Sequence, residues 1–274
     1  MQHDLDLSGM YDLHVHTSPD IRPRLLNDLE AARQSMAAGM AGILLKSHIT
    51  LTADRAVLAE AAVPGSRVYG SLVLNQFTGG LNPAAVDAAL QMGAKQIYMP
   101  TVSAANHRIH TNASGGIDLS DPSAESLLRE ILALIKERGA ILGTGHISRA
   151  EIRLIVRIGT QLGLEKIVIT HPEHPFVTLT AGEQRELAGK GVYFERCFAS
   201  TFKELGDVPV EQIAREIRDV GVASTVLTTD LGAAGYPAPT EGMRAFLAGL
   251  RTCGIEDNEI DVMTKQNPAE LLSQ

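Results

Sequence analysis

The 274-residue sequence predicts an α/β protein folded as one (β/α)8 barrel, a TIM barrel. Three observations carry that expectation. The length suits a barrel of roughly 250 residues and is short for two domains. Short apolar, β-rich runs alternate eight times with amphipathic stretches, and most start about 25–35 residues apart, the length of one βα unit. No Gly-rich phosphate loop follows an early strand, as a doubly wound sheet would carry, because Gly79-Gly80 lacks both the spacing and the following acid. No composition break marks a linker, so residues 1–274 are expected to form a single domain.

The first strand is expected over Met10–His14 and its helix over Asn27–Ala38, with Asn27 as N-cap and Gly39 as stop. Ala41–Leu45 and Thr52–Ala62 form the second unit. Arg67–Leu74 is the third strand, followed by a helix that Asn82-Pro83 opens as cap and first turn. Gln96–Met99 is the fourth strand. Residues 101–122 then form a long polar stretch without an obvious element, which reads as a lid or binding loop. Ser123–Arg138 is a helix ending at Gly139, and Ala140–Gly143 is the fifth strand. Ser148–Leu162 and Lys166–Thr170 supply the next helix and the sixth strand. Thr180–Gly189 is a short helix with Thr180 and Glu183 spaced as a capping box. Val192–Glu195, Val210–Val220, Ser224–Thr228 and Thr240–Leu250 complete the alternation, and Glu256–Leu272 closes the chain.

Composition narrows the function classes. Twenty-four basic against 32 acidic residues leave a net charge of −8, with no basic face to replace phosphate counterions, so nucleic acid is not the expected partner. No apolar run is long enough to cross a bilayer, and the polar, acidic N-terminus does not read as a signal peptide. Two cysteines, Cys197 and Cys253, cannot form a disulfide framework, which points to a reducing, cytoplasmic compartment. A homo-oligomer acting on a small molecule is the base-rate expectation.

The nine histidines are placed informatively. In a barrel the site forms where strands end. His14 and His16 close the first strand, His48 follows the second, His146 the fifth and His171 the sixth, while Glu195 ends the seventh and Asp230 follows the eighth. Seven imidazole or carboxylate groups from six strands would meet at one mouth. His14 and His16 are two apart, so both side chains point to the same side of the strand. Paired imidazoles in a barrel interior pack poorly and bind metals well, with nitrogen and oxygen donors suited to Zn²⁺, Mn²⁺ or Fe²⁺.

Together, His14-Val15-His16, His146, His171 and Asp230 resemble the amidohydrolase superfamily of metal-dependent hydrolases, and Asn267-Pro268-Ala269-Glu270-Leu271-Leu272 resembles the closing helix of many members. The first motif, Tyr11-Asp12-Leu13-His14-Val15-His16-Thr17-Ser18, is also similar to that of the polymerase-and-histidinol-phosphatase family, which His48 fits better. Dinuclear amidohydrolases bridge their metals with a carboxylated lysine or a glutamate on the fourth strand, where this chain has Ile97-Tyr98-Met99. Lys46 shares parity with His48 and could be a carbamylated bridge from the second strand, hold a substrate carboxylate, pair with Glu195, or point outward to a helix. Glu195 could be a ligand, a partner of a ligand, a general base or half of an ion pair.

The expected activity is hydrolysis of a C–N or C–O acyl bond in a small, polar, anionic molecule, using one or two divalent metals, zinc foremost, and metal-activated water. The resemblance implies His14, His16, His146, His171 and Asp230 as ligands, with His48 and Lys46 as further candidates. Asp230, His171 and Glu195 are the catalytic candidates. Arg22, Arg24, His107, Arg108 and Arg196 are candidates for holding the substrate's anionic group. Phosphoester hydrolysis, a mononuclear decarboxylase or deaminase, and a metal-holding barrel without turnover are the alternatives.

Overall fold

A computed structural model describes residues 5–189 and 191–273. The strands are β1 (Tyr11–His16), β2 (Gly42–Lys46), β3 (Val68–Tyr69), β4 (Ser71–Val73), β5 (Gln96–Tyr98), β6 (Ile141–Gly143), β7 (Ile167–Thr170), β8 (Val192–Cys197) and β9 (Thr225–Thr228). β3 and β4 are two arms of one barrel position, parted at Gly70, where a Cβ would strike the backbone of Ala53. Eight positions result, as the alternation predicts.

Every pairing is parallel. β1-β2-β3 form one run and β4 through β9 the other. The ring closes where β1 meets the chain leaving β9: Asp230 N–H donates to the His14 carbonyl at 2.9 Å, and His16 N–H donates to the Leu231 carbonyl at 2.8 Å. The β1–β2 register shifts between Asp12 and Val15. Leu13 thereby joins an interior cluster with Leu44, Val73, Tyr98, Ile141, Val168, Tyr193 and Val226, one residue from each barrel position. Leu271 and Leu272 of α11 (Asn267–Leu272) complete that cluster.

The helix layer follows the local signals. Asn27 caps α1 (Asp28–Ala37) in a reciprocal box with Glu30, and Ser148 with Glu151 does the same for α6 (Arg149–Leu162). Thr180 and Glu183 form the predicted box at α7 (Ala181–Leu187). α5 (Ala124–Glu137) and α6 bury Leu128, Ile131, Ile135, Ile152 and Ile155 in the largest cluster between helices and sheet. No described helix is long and apolar enough to cross a membrane.

Two stretches depart from the sequence reading. Residues 101–122 contain a helix, α4 (Ala105–His110), pinned by a bridge between Ala104 and Ile117. Its six residues are too few for a periodic signal to stand out. Residues 256–272 are broken into α10 (Asp257–Asp261), a π turn over Val262–Gln266 and α11, where Pro268 lacks the N–H that an unbroken helix needs.

Gly232 lies just beyond the closing seam with φ +126°, and a Cβ there would run into the His16 carbonyl. Gly232→Ala is therefore expected to cost at least about 2 kcal/mol in urea or thermal denaturation. Wild-type stability in that variant would contradict the tight approach.

Candidate metal centre

The mouth is a cavity of about 290 Å³ above the C-terminal ends of the strands. His16, His48, His146, His171 and Asp230 line it, with Arg22, Arg24, His107, His174 and Phe176 around them. Five of the seven strand-end groups thus line the mouth, and His14 and Glu195 lie buried beneath it.

At its base, the Asp230 Oδ1 lies 2.8 Å from His14 Nε2 and 3.0 Å from His16 Nε2. All three residues offer donor atoms within 4.8 Å of one another, a set fit for one cation. The seam explains the convergence, since the hydrogen bonds that close the barrel set Asp230 directly beside β1. Asp230 itself adopts φ +52° and His171 φ +31°, left-handed conformations uncommon outside glycine, which turn both side chains after their strands.

Lys46 Nζ stands 2.8 Å from the same His14 Nε2 and 4.5 Å above the Tyr98 ring, almost wholly buried. It faces inward, as its shared parity with His48 allows. His14 Nε2 is therefore shared by a carboxylate and an amine, although one ring nitrogen offers only a proton or a lone pair. The nitrogen and carboxylate donors of His14, His16 and Asp230 would instead suit a divalent cation, so these residues fit a metal.

A chain of imidazoles continues around the mouth. The His16 and His48 rings are 4.8 Å apart, His48 and His146 6.0 Å, and His146 and His171 4.9 Å. His48 Nδ1 lies 2.8 Å from Thr101 Oγ1, and His146 Nδ1 lies 2.8 Å from His107 Nδ1. His171 Nδ1 is buried without a hydrogen-bond partner. Burial holds His16 down to about 3 and His48, His146 and His171 well below the ordinary histidine range, so all four are neutral, the state that binds metal. Burial, then the Arg22 charge, holds His107 down to about 4. Burial also opposes charge on His14, but the carboxylates of Asp230 and Glu195 outweigh it together with the opposing Lys46 charge, and raise its pKa. Burial would raise the Asp230 carboxyl, yet His14, His16 and Lys46 keep it well below the usual range.

Three expectations are corrected. Arg196 does not reach the mouth. Its neighbours Glu195 and Cys197 point inward, so it points outward and is fully buried, contacting Glu173, Glu216 and Gln184. Arg108 donates from Nε to the Ser114 carbonyl at 2.7 Å, tying its own loop together instead of lining the cavity. Glu195 is absent from the cavity lining and lies beneath His14, with Oε1 3.3 Å from Nδ1, too deep to act as a general base on substrate. Arg24 lines the cavity but is engaged twice by Asp20, at 2.9 and 2.7 Å, whereas Arg22 is exposed at the rim. Cys197 is fully buried, and burial pushes its thiol up, in keeping with a packing role.

Sequence reasoning missed several supports. Asn75 donates to the His48 carbonyl at 2.9 Å and to Thr101 Oγ1 at 2.7 Å, and accepts from Thr101 N–H at 2.8 Å, bracing the His48 loop. Asn106 donates to the carbonyls of His146 and Phe176 at 3.0 and 2.8 Å, so α4 is tied to the mouth it covers. Phe176 sets its ring 4.5 Å from His107 and 4.4 Å from His174, a flat apolar wall. The available signal was position: Asn75 directly follows the third strand and Phe176 belongs to the loop after His171.

Removing Arg196 takes the cationic partner from the buried Glu173, whose carboxyl pKa is already raised by burial. Arg196→Met is expected to lower unfolding stability by about 3–5 kcal/mol, measured by denaturation. An unchanged stability with weakened substrate binding would instead return Arg196 to the mouth.

Residues 9–195 match the model of a family of unknown function, DUF6282, and the chain belongs to that family. No curated protein matches it in sequence. Solved structures share its fold. An amidohydrolase from Pseudomonas aeruginosa superposes with a TM-score of 0.69 at 11% identity, covering 97% of this chain and 95% of that one. The phosphotriesterase homology protein from Escherichia coli, solved with phosphate in its active site, gives 0.65 at 14% identity, covering 98% and 100%. A mutant phosphotriesterase-like lactonase from Deinococcus radiodurans gives 0.63 at 16% identity, covering 98% and 97%.

Proposed function

We propose that this DUF6282 member is a metal-dependent hydrolase of the amidohydrolase type, cleaving a C–N or C–O acyl bond (amide, cyclic amide, lactone or ester) in a small, polar, anionic molecule. The observation that carries the reading is the convergence of His14, His16 and Asp230 at the base of the mouth cavity. The names of the amidohydrolase and lactonase that share the fold support it.

His14, His16 and Asp230 would hold the first cation, zinc foremost, and His146 with His171 the second where two are bound. When bound, the cation supplies Lewis acidity, which makes water a nucleophile near neutral pH. Asp230 takes the proton of the attacking water on its carboxylate and returns it to the leaving nitrogen or oxygen. His171, neutral and at the cavity wall, polarises the acyl carbonyl. Arg22 at the rim engages the substrate's anionic group, beside His107 on α4. Phe176 and Leu205 give the cavity an apolar side that excludes water from the scissile bond. Lys46 Nζ, 2.8 Å from His14 Nε2, stands where His14 would present its lone pair, so its amine would have to move aside, be neutral or be carbamylated for His14 to serve as a ligand.

The test is a panel of small carboxylate-bearing lactones, esters and amides, followed by acid release. The metal-loaded chain is expected to turn over at least one of them and to lose that activity on chelation. Asp230→Asn is expected to reduce kcat by about 10²–10⁴-fold. Turnover undiminished by chelation and by Asp230→Asn would contradict the reading.

A further inference from the structure

We propose that Glu195 is the positioning residue of the metal centre: its carboxylate holds the ring proton of His14 on Nδ1 and leaves the Nε2 lone pair toward the cation. The inference rests on the metal reading above and adds to it a determinant of metal affinity.

The geometry separates the two edges of the His14 ring. Nε2 faces Asp230 and Lys46, each at 2.8 Å, while Nδ1 faces Glu195 Oε1 at 3.3 Å. A neutral imidazole carries one proton, and the nitrogen without it holds the lone pair. Both edges face a carboxylate, but a cation on Nε2 would take the lone pair there and leave the ring proton on Nδ1, the edge that Glu195, an acceptor only, faces.

Glu195 is 1% exposed, and burying a carboxylate is costly unless a cation or hydrogen bond answers it. Its Oε2 has no hydrogen-bond partner, and His14 is the described residue at ion-pair distance from Oε1. The nearby Cys197 thiol lies 3.3 Å from Thr228 Oγ1 and 3.9 Å from the same His14 Nδ1, and the Tyr98 hydroxyl donates to the Leu13 carbonyl at 3.3 Å. Both polar neighbours have other partners. A glutamine of the same size could accept the Nδ1 proton without the cost of burying a charge. Lys46, and a divalent cation held on Nε2, would supply positive charge above the ring to answer a carboxylate there. A carboxylate behind a ligating histidine fixes its tautomer and makes it a stronger donor. Because Glu195 lies outside the cavity lining, it acts through His14 and not on substrate.

The experiment strips the full-length chain of metal and measures Zn²⁺ affinity by competition with a fluorescent chelator, alongside the thermal midpoint of the metal-free form. In Glu195→Gln the affinity is expected to fall about 10–100-fold. The metal-free midpoint is expected to hold or rise, because a buried charge has been removed. Glu195→Met, which removes both charge and acceptor, is expected to lose at least as much affinity. A merely structural glutamate predicts the reverse, a lower metal-free midpoint with unchanged affinity, and that result overturns the proposal. So does failure of both variants to fold. If the wild-type chain binds no Zn²⁺, the metal reading fails and this one with it; wild-type binding matched by both variants overturns Glu195 alone.

Discussion

Two backbone hydrogen bonds across one seam, from Asp230 N–H to the His14 carbonyl and from His16 N–H to the Leu231 carbonyl, hold the ends of the barrel together and assemble the site in the same act. They join segments more than 200 residues apart in the chain. Asp12 on β1 reinforces the same seam, accepting from Thr229 N–H at 3.0 Å and from the Thr229 hydroxyl at 2.5 Å just after β9. Gly232 allows the approach, and the left-handed turn at Asp230 aims its carboxylate back over β1. Closure of the ring and presence of the site are therefore one structural event.

Electrostatics divides the site into a charged axis and a neutral wall. Through the buried core of the barrel the carboxylates of Glu195 and Asp230 flank His14 on its two ring edges, and Lys46 stands at the Asp230 edge. Around them, burial keeps His16, His48, His146 and His171 uncharged. Neutral imidazoles do not repel an incoming cation, and the two carboxylates attract it. Outside this pair of zones, Arg22 at the rim remains available to an anion, whereas Arg24 is engaged by Asp20.

Period and position made the fold legible. Apolar runs at βα spacing gave eight barrel positions, and three capping boxes began helices where Asn27, Ser148 and Thr180 stand. The ligands were legible for the same reason, because a residue that ends a barrel strand has only one place to go. Side-chain parity tied Lys46 to the side of His48 but left an outward lysine open, and burial against His14 and Tyr98 places it inside. Applied one residue further, the same parity places Arg196 outside, on the opposite side of β8 from Glu195, and the expectation that it served the mouth overlooked this. Hidden from the sequence were depth and register. The strand-end position of Glu195 does not reveal that it lies below His14, and the register shift after Asp12 leaves no mark in the residue pattern. Asn75 and Asn106 brace the mouth through contacts with backbone carbonyls, which residue spacing does not encode.

The central claim is that His14, His16 and Asp230 form a cation site. Elemental analysis of the chain, purified without chelator or tag-derived metal, tests it most directly when wild type and His14→Ala are run side by side. One or two equivalents of a divalent metal in the wild type, with at least one lost in the variant, is the predicted result. A wild-type chain that holds no metal even after reconstitution, or a variant with an unchanged count, would contradict it.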